Sequence, residues 1–205
     1  TQREIQIEGT TCFLAKQRRY NLYHVLGGIQ RTVQCNLGVD WSIFLENSFG
    51  FSFTFFNDSN SIVKTIKRFK ATKFYLIITL SKGESFRPHH ALLQLPELHQ
   101  KWLAYVHDPY PFQHYPKPYT FIPKGAKQKD AFFKSISESC GAAGFPSFYL
   151  AQHMSQFYPQ LEEKSLVIPH QYDLNVPKVG LPSFFHAGKF NLVHTGNLIG
   201  GRSPK

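Results

Sequence analysis

The segment "KFYLIITLSKG", residues 73–83, constrains the fold of this chain more than any other. It is a continuous apolar run rich in isoleucine and aromatic residues, with a basic stretch before it and Ser-Lys-Gly after it. An unbroken run bounded by turn residues is the pattern of a strand buried on both faces, which belongs to a parallel sheet covered by helices. The preceding "SNSIVKTIKRFKA" places Ile62, Val63, Ile66 and Phe69 at helical spacing, behind a cluster of Asp58, Ser59, Asn60 and Ser61 able to cap a helix.

The same alternation continues downstream. "PHHALLQLPELH" predicts a short helix from Pro88, kinked or broken near Pro96. "KWLAYVH" predicts a strand, and "AKQKDAFFKSISESC" a helix closed at Gly141. "AAGFP" reads as a short strand, "SFYLAQHMSQFY" as a helix with Ser147 at its N-cap, and "KSLVIPH" as a further strand. The expectation is an α/β, Rossmann-like doubly wound sheet with helices on both faces, and with strands near 74–80, 102–106, 142–145 and 166–168 all parallel.

The first sixty residues are less legible. "REIQIEG" alternates like a strand, and "TTCFLAK" is able to pair with it as a hairpin through Gly9. "VDWSIFLEN" looks like another strand, "FGFSFTFF" resists assignment, and Gly27-Gly28 read as a plain turn because no nucleotide fingerprint surrounds them. Residues 172–190 carry repeated glycine and proline breaks and read as a linker, after which "FNLVHTGNLIGGRSPK" reads as a strand entering a glycine-rich loop, the start of something cut short.

Composition narrows the class. With 205 residues, 42% of them hydrophobic, the chain can bury a full core. No apolar run approaches the roughly 20 residues of a membrane-spanning helix, and a cytoplasmic location is the default expectation. Cys12, Cys35 and Cys140 are widely separated and read as reduced thiols. The net charge of +10 favours anionic partners, whether phosphate-bearing substrates, nucleic acid or an anionic membrane. The cluster Lys64, Lys67, Arg68, Lys70 and Lys73 reads most simply as a solvated helical face.

Ligands of open α/β sheets bind outside the carboxyl ends of the strands. That rule collects Ser81, Lys82, Gly83 and Glu84, then His107 and Asp108, Pro146 and Ser147, and Pro169 and His170, on one rim. A histidine in such a place either caps backbone groups or faces a ligand. His89 and His90 are adjacent, so on a helix they point about 100° apart and cannot jointly ligate a metal; solvent exposure is the simpler reading. Tyr110, Phe112, Tyr115 and Tyr119 either pack a proline-stiffened loop onto the domain or line a site. In the tail, Gly196 and Gly200-Gly201 with Arg202 and Lys205 offer backbone N–H groups and two cations to a diphosphate.

Taken in order, "FYLIITLSKGESFRPHHALL", "KWLAYVHDPYP", "GFPS", "LAQHM", "LVIPHQYD" and "FNLVHTGNLIGGRSPK" resemble the amino-terminal domain of GT-B glycosyltransferases, in particular the bacterial family 4-like group that makes surface polysaccharides. The resemblance spans residues 62–205. It implies an acceptor-binding domain over 1–175, a linker over 176–189, and at 190–205 the start of a donor-binding domain. It further implies a hexosyltransferase-type enzyme as the intact protein, with His107 and Asp108 at the reaction centre and Glu84, His89, Tyr110 and His170 toward the acceptor. Gly196, Asn197, Arg202 and Lys205 would approach the donor diphosphate. The implied partners are a nucleotide-sugar and a glycan or lipid-linked acceptor, with peripheral association at the inner membrane face, no cofactor, no metal and no nucleic acid; this length alone is expected to be inactive. A second class fits the same composition, a non-catalytic α/β module binding phosphorylated ligands or nucleic acid, although no RNP, KH or zinc-finger pattern is present and the basic residues form no long stripe.

Overall fold

The computed structural model describes residues 4–7, 9–15, 19, 21–69, 74–82, 85–111, 124–170, 180, 185–186 and 188–191. The chain opens with the expected hairpin. Strands β1 (Glu4–Ile7) and β2 (Thr10–Phe13) pair antiparallel, with Ile5 opposite Cys12, and Gly9 turns between them at φ +77°.

The next two elements differ from expectation. Gly27 and Gly28 form no turn but lie inside helix α1 (Leu22–Leu37), which starts at an Asn21 cap whose side chain accepts the His24 N–H. Gly27 faces α3, where an added Cβ would stand 3.5 Å from Thr54 Oγ1, an ordinary packing contact. The stretch expected as a strand around Ile43 is helix α2 (Ser42–Phe49), whose first turn is set by Asp40 accepting the Ser42 N–H at 2.8 Å. Only Leu45 of α2 is buried, so the segment carries no helical stripe for a sequence reading to find.

Helix α3 (Phe53–Arg68) begins earlier than its predicted cap, at Ser52, whose hydroxyl accepts the Phe55 N–H at 3.2 Å. The polar cluster thought to cap it lies within it. Asn57, Ser59 and Ser61 are buried there because neighbours satisfy them: Asn21 donates to Asn57, Ser61 donates to the Asn57 carbonyl, and Ser59 pairs with His90 Nδ1 at 2.7 Å. Lys64, Lys67 and Arg68 are exposed along α3, as a solvated face requires; Lys70 and Lys73 lie outside the described residues.

Strands β3 (Ile77–Leu80), β4 (Trp102–Tyr105), β5 (Ala142–Phe145) and β6 (Ser165–Val167) form a four-stranded sheet, parallel throughout and in chain order. Helix α4 (Arg87–Leu93) and a 3-10 segment (Pro96–Lys101) connect β3 to β4, α5 (Ala126–Ser139) leads into β5, and α6 (Phe148–Phe157) leads to β6. Ser147 caps α6 as predicted, accepting the Leu150 N–H at 3.2 Å. Gly141 is not a left-handed cap of α5. Its N–H donates to the Trp102 carbonyl, and a Cβ there would stand 2.7 Å from the Gln100 carbonyl oxygen.

Two-sided cover is not observed among the described residues. Trp102, Ala104, Val106, Ala143 and Phe145 share one core with Leu92 of α4, Phe132, Phe133 and Ile136 of α5, and Ala151 and Met154 of α6, which puts these helices on one face. A sheet in chain order with crossovers of one hand requires this, whereas a doubly wound sheet needs a reversal of strand order. On the other face Ile78 and Leu80 are 53% and 57% exposed, so β3 is buried on one side only. Across the packed face Trp102 Nε1 donates to Thr79 Oγ1 at 2.7 Å, tying β3 to β4. Cys12, Cys35 and Cys140 are free thiols, and burial pushes Cys140 up to about 11.

Because Gly28 is helical and a Cβ there would meet nothing within 4 Å, Gly28→Ala is expected to stabilise the chain by about 0.5–1 kcal/mol in urea unfolding. A destabilised variant would contradict the helix.

Candidate functional site

Backbone pairing continues past the strand ends and builds the site. Ser81 N–H donates to the Tyr105 carbonyl, Val106 N–H to Gly144, and Ile168 N–H to Phe145. These bonds carry Ser81, His107 and His170 to the same carboxyl edge, as the strand-end rule anticipates. The His107 and His170 rings stack there, 5.2 Å between centroids at 16°. The Ser81 hydroxyl accepts the His107 backbone N–H at 2.9 Å and stands 3.3 Å from His107 Nδ1. His107 is half-buried, while Asp108 and His170 are exposed. A ligand at this rim would meet imidazole edges flanked by solvent.

Tyr105 is the platform under the pair. Its ring lies over β5 at Gly144, where an added Cβ would come within 2.7 Å of Tyr105 Cδ2. Its hydroxyl donates to the Ile168 carbonyl at 2.6 Å, and its ring meets the edge of His107 at 4.7 Å. A side chain at residue 144 would push the ring away and release the end of β6 that carries His170.

Two residues assigned to the acceptor side lie elsewhere. His89 is 0% exposed, within the core between Phe86 and Trp102, at 4.9 and 6.1 Å between ring centroids. It therefore cannot reach a ligand, and the expectation that it faces solvent is also corrected. Short α4 turns His89, Ala91 and Leu92 inward together, leaving His90 half-buried beside Ser59. Burial pushes His89 down to about 3, and His107 adds to the lowering. The Tyr105 carbonyl opposes this without forming a well-aligned hydrogen bond. Tyr110 is also buried, its ring 4.2 Å from Phe86, so it packs the loop onto the domain. Glu84, Phe112, Tyr115, Tyr119, Gly196, Asn197, Arg202 and Lys205 lie outside the described residues, as does most of the linker. Of the strand expected from Phe190 only Phe190 and Asn191 are described, and Asn191 pairs there with His186 and Lys189.

A second feature escaped the sequence reading. A cavity of about 230 Å³ opens where α3 begins, lined by Glu46, Ser52, Phe55, Ser85, Arg87 and Lys129. Arg87 Nε pairs with Asp58 at 3.0 Å, and Lys129, only 5% exposed, pairs with Glu46 at 3.6 Å. Its residues come from α2, α3, α4 and α5, and no local spacing announces it. Among the described residues no group of three or more His, Cys, Asp or Glu side chains is arranged to hold a metal, and no helix is long and apolar enough to cross a membrane.

Gly144→Ala is expected to destabilise the chain by about 1–3 kcal/mol and to separate the His107 and His170 rings. Tyr105→Phe, which removes only the bond to Ile168, should cost about 1 kcal/mol in the same urea unfolding assay. Equal stability of all three proteins would refute the role of Tyr105 as a tie between β4 and the end of β6.

His89 generates a pH dependence. The folded chain keeps it neutral to about pH 3, while the unfolded chain protonates it near 6.5, so the unfolded state binds more protons between these values. Its contribution is complete above about pH 6.5 and declines as pH falls toward 3, by up to about 1.4 kcal/mol per pH unit. The loss between pH 7 and 5 should be about 2 kcal/mol, and His89→Leu should flatten that part of the profile. An unchanged slope in the variant would rule out a neutral buried His89.

Comparison of the chain with protein-family models, with curated proteins and with solved structures finds no match.

Proposed function

We propose that this chain is the acceptor-side domain of a glycosyltransferase that moves a sugar from a nucleotide-sugar to a glycan or lipid-linked acceptor. The observation that carries the reading is the stacked pair of His107 and His170 beside the Ser81 hydroxyl, at the carboxyl edge of a parallel sheet. Open α/β sheets take their ligands at that edge. Of the two imidazoles His107 is half-buried and His170 exposed, and both offer ring nitrogens for hydrogen bonds to sugar oxygens.

The resemblance of the strand-end motifs to GT-B enzymes supports the same reading and supplies its second half. The donor would bind a further domain that begins near Phe190, with Gly196, Asn197, Arg202 and Lys205 close to its diphosphate. Cationic side chains and helix dipoles would stabilise the departing nucleoside diphosphate without a metal. Peripheral membrane association draws on the +10 charge and on the exposed apolar side chains of Leu22, Val25, Ile29 and Phe44. The competing reading, a non-catalytic module for phosphorylated ligands, draws on the cavity with Arg87 and Lys129. The natural reading frame separates the two: a second strand-helix series with paired glutamates after Lys205 favours the transferase, and a stop codon favours the module.

The experiment is sugar transfer by the full-length protein. His107→Ala is expected to lower turnover by roughly 10²-fold or more, with Asp108→Asn milder. An unchanged rate in His107→Ala would reduce the histidine to a structural cap.

A further inference from the structure

We infer that Ser81 fixes the tautomer of His107, so that this imidazole meets its ligand as a hydrogen-bond donor through Nε2–H and not as a base. The inference deepens the proposed function and rests on His107 being the group that faces the ligand.

A serine hydroxyl has one hydrogen to donate and two lone pairs. Ser81 is 3% exposed, its own N–H is held by the Tyr105 carbonyl, and its oxygen accepts the His107 backbone N–H at 2.9 Å. The hydroxyl hydrogen then needs an acceptor, because a buried hydroxyl without one keeps its desolvation penalty uncompensated. Among the described residues the acceptor within reach is His107 Nδ1, at 3.3 Å. Were Nδ1 protonated instead, two N–H groups of the same residue would converge on one oxygen and the hydroxyl hydrogen would face no acceptor. The neutral ring is therefore satisfied in one arrangement, with the lone pair on Nδ1 and the proton on Nε2.

The surroundings agree. Among the described residues the groups packed on the ring are Tyr105 at its edge and His170 on its face, and neither is a carboxylate. Asp108, next in the chain, is exposed and makes no hydrogen bond to the ring. A histidine base of the serine-hydrolase kind has Nδ1–H donating to a carboxylate, which leaves Nε2 free to take a proton. Here the polarity is reversed, because Nδ1 receives the serine proton. His107 can then grip an oxygen that accepts, such as a sugar hydroxyl, a ring or glycosidic oxygen, or a phosphate oxygen. It cannot deprotonate an acceptor hydroxyl through Nε2, and any base must come from another residue. Ser81, buried and hydrogen-bonded on both sides, is a positioning residue.

The test is a two-bond ¹H–¹⁵N correlation spectrum of the histidine rings in the 205-residue chain, recorded about two pH units above the ordinary histidine value, where imidazoles are neutral. His107 should show the pattern of a ring protonated at Nε2, displaced from the tautomer mixture of free histidine. Ser81→Ala should return it toward that mixture, and Ser81→Thr, which keeps the hydroxyl, should preserve the wild-type pattern. A wild-type ring protonated at Nδ1, or indistinguishable from free histidine, would overturn the inference. In the full-length enzyme, His107→Gln retains an N–H donor and should turn over roughly tenfold or more faster than His107→Ala; equal loss in both variants would count against the donor role. The expected spectrum in a protein that transfers no sugar would sink the transferase reading and leave the Ser81 assignment standing.

Discussion

Parallel pairing in chain order is the constraint on which the rest of this structure depends. Strands of three or four residues, each beside its predecessor in sequence, cannot be joined by a tight turn, so every connection must cross over and return to the same end. The crossovers place α4, α5 and α6 against one face, where Trp102, Phe133, Phe145 and Met154 close the core. All four carboxyl ends then meet at one edge. Two side-chain bonds secure so short a sheet: Trp102 to Thr79 on the packed face joins β3 and β4, and Tyr105 to Ile168 on the other face bridges β5 to hold the end of β6.

The polar groups at that edge follow from the same geometry. Ser81 continues the β3 ladder by donating to Tyr105, which sets its hydroxyl under the first residue after Val106. Gly144 leaves the space in which Tyr105 lies flat, and the stacked histidines rest against that ring. Beneath them His89 occupies the core as a neutral ring, which ties acid stability to the elements that shape the rim.

Much of the sheet was legible in sequence because burial left its mark on it. All four residues of β4 are buried, and they read as an unbroken apolar run that ends at the rim on His107. The strand-end rule therefore found His107 and His170, which the structure brings together, and named Ser81 without giving it a role. Its role depends on a bond between side chain and backbone across 26 residues, which no local pattern carries. The amino-terminal helices were obscure for the opposite reason. Gly27 lies in a helix facing α3 where the sequence reads as a turn, α2 buries only Leu45, and α3 hides Asn57 and Ser59 behind partners on other elements and Ser61 against its own backbone. His89 was misplaced because a histidine in a short helix reads as surface until Phe86 and Trp102 are seen around it.

The central claim is that the histidine rim receives the ligand, and chemical-shift mapping of the 205-residue chain with a panel of neutral mono- and disaccharides tests it most directly. Binding to the rim predicts shifts centred on Ser81, His107 and His170, with the Tyr105 ring following. Shifts confined to Arg87, Lys129 and the first turn of α3, with the histidine resonances unmoved, would contradict it and make the cavity beside α3 the working site.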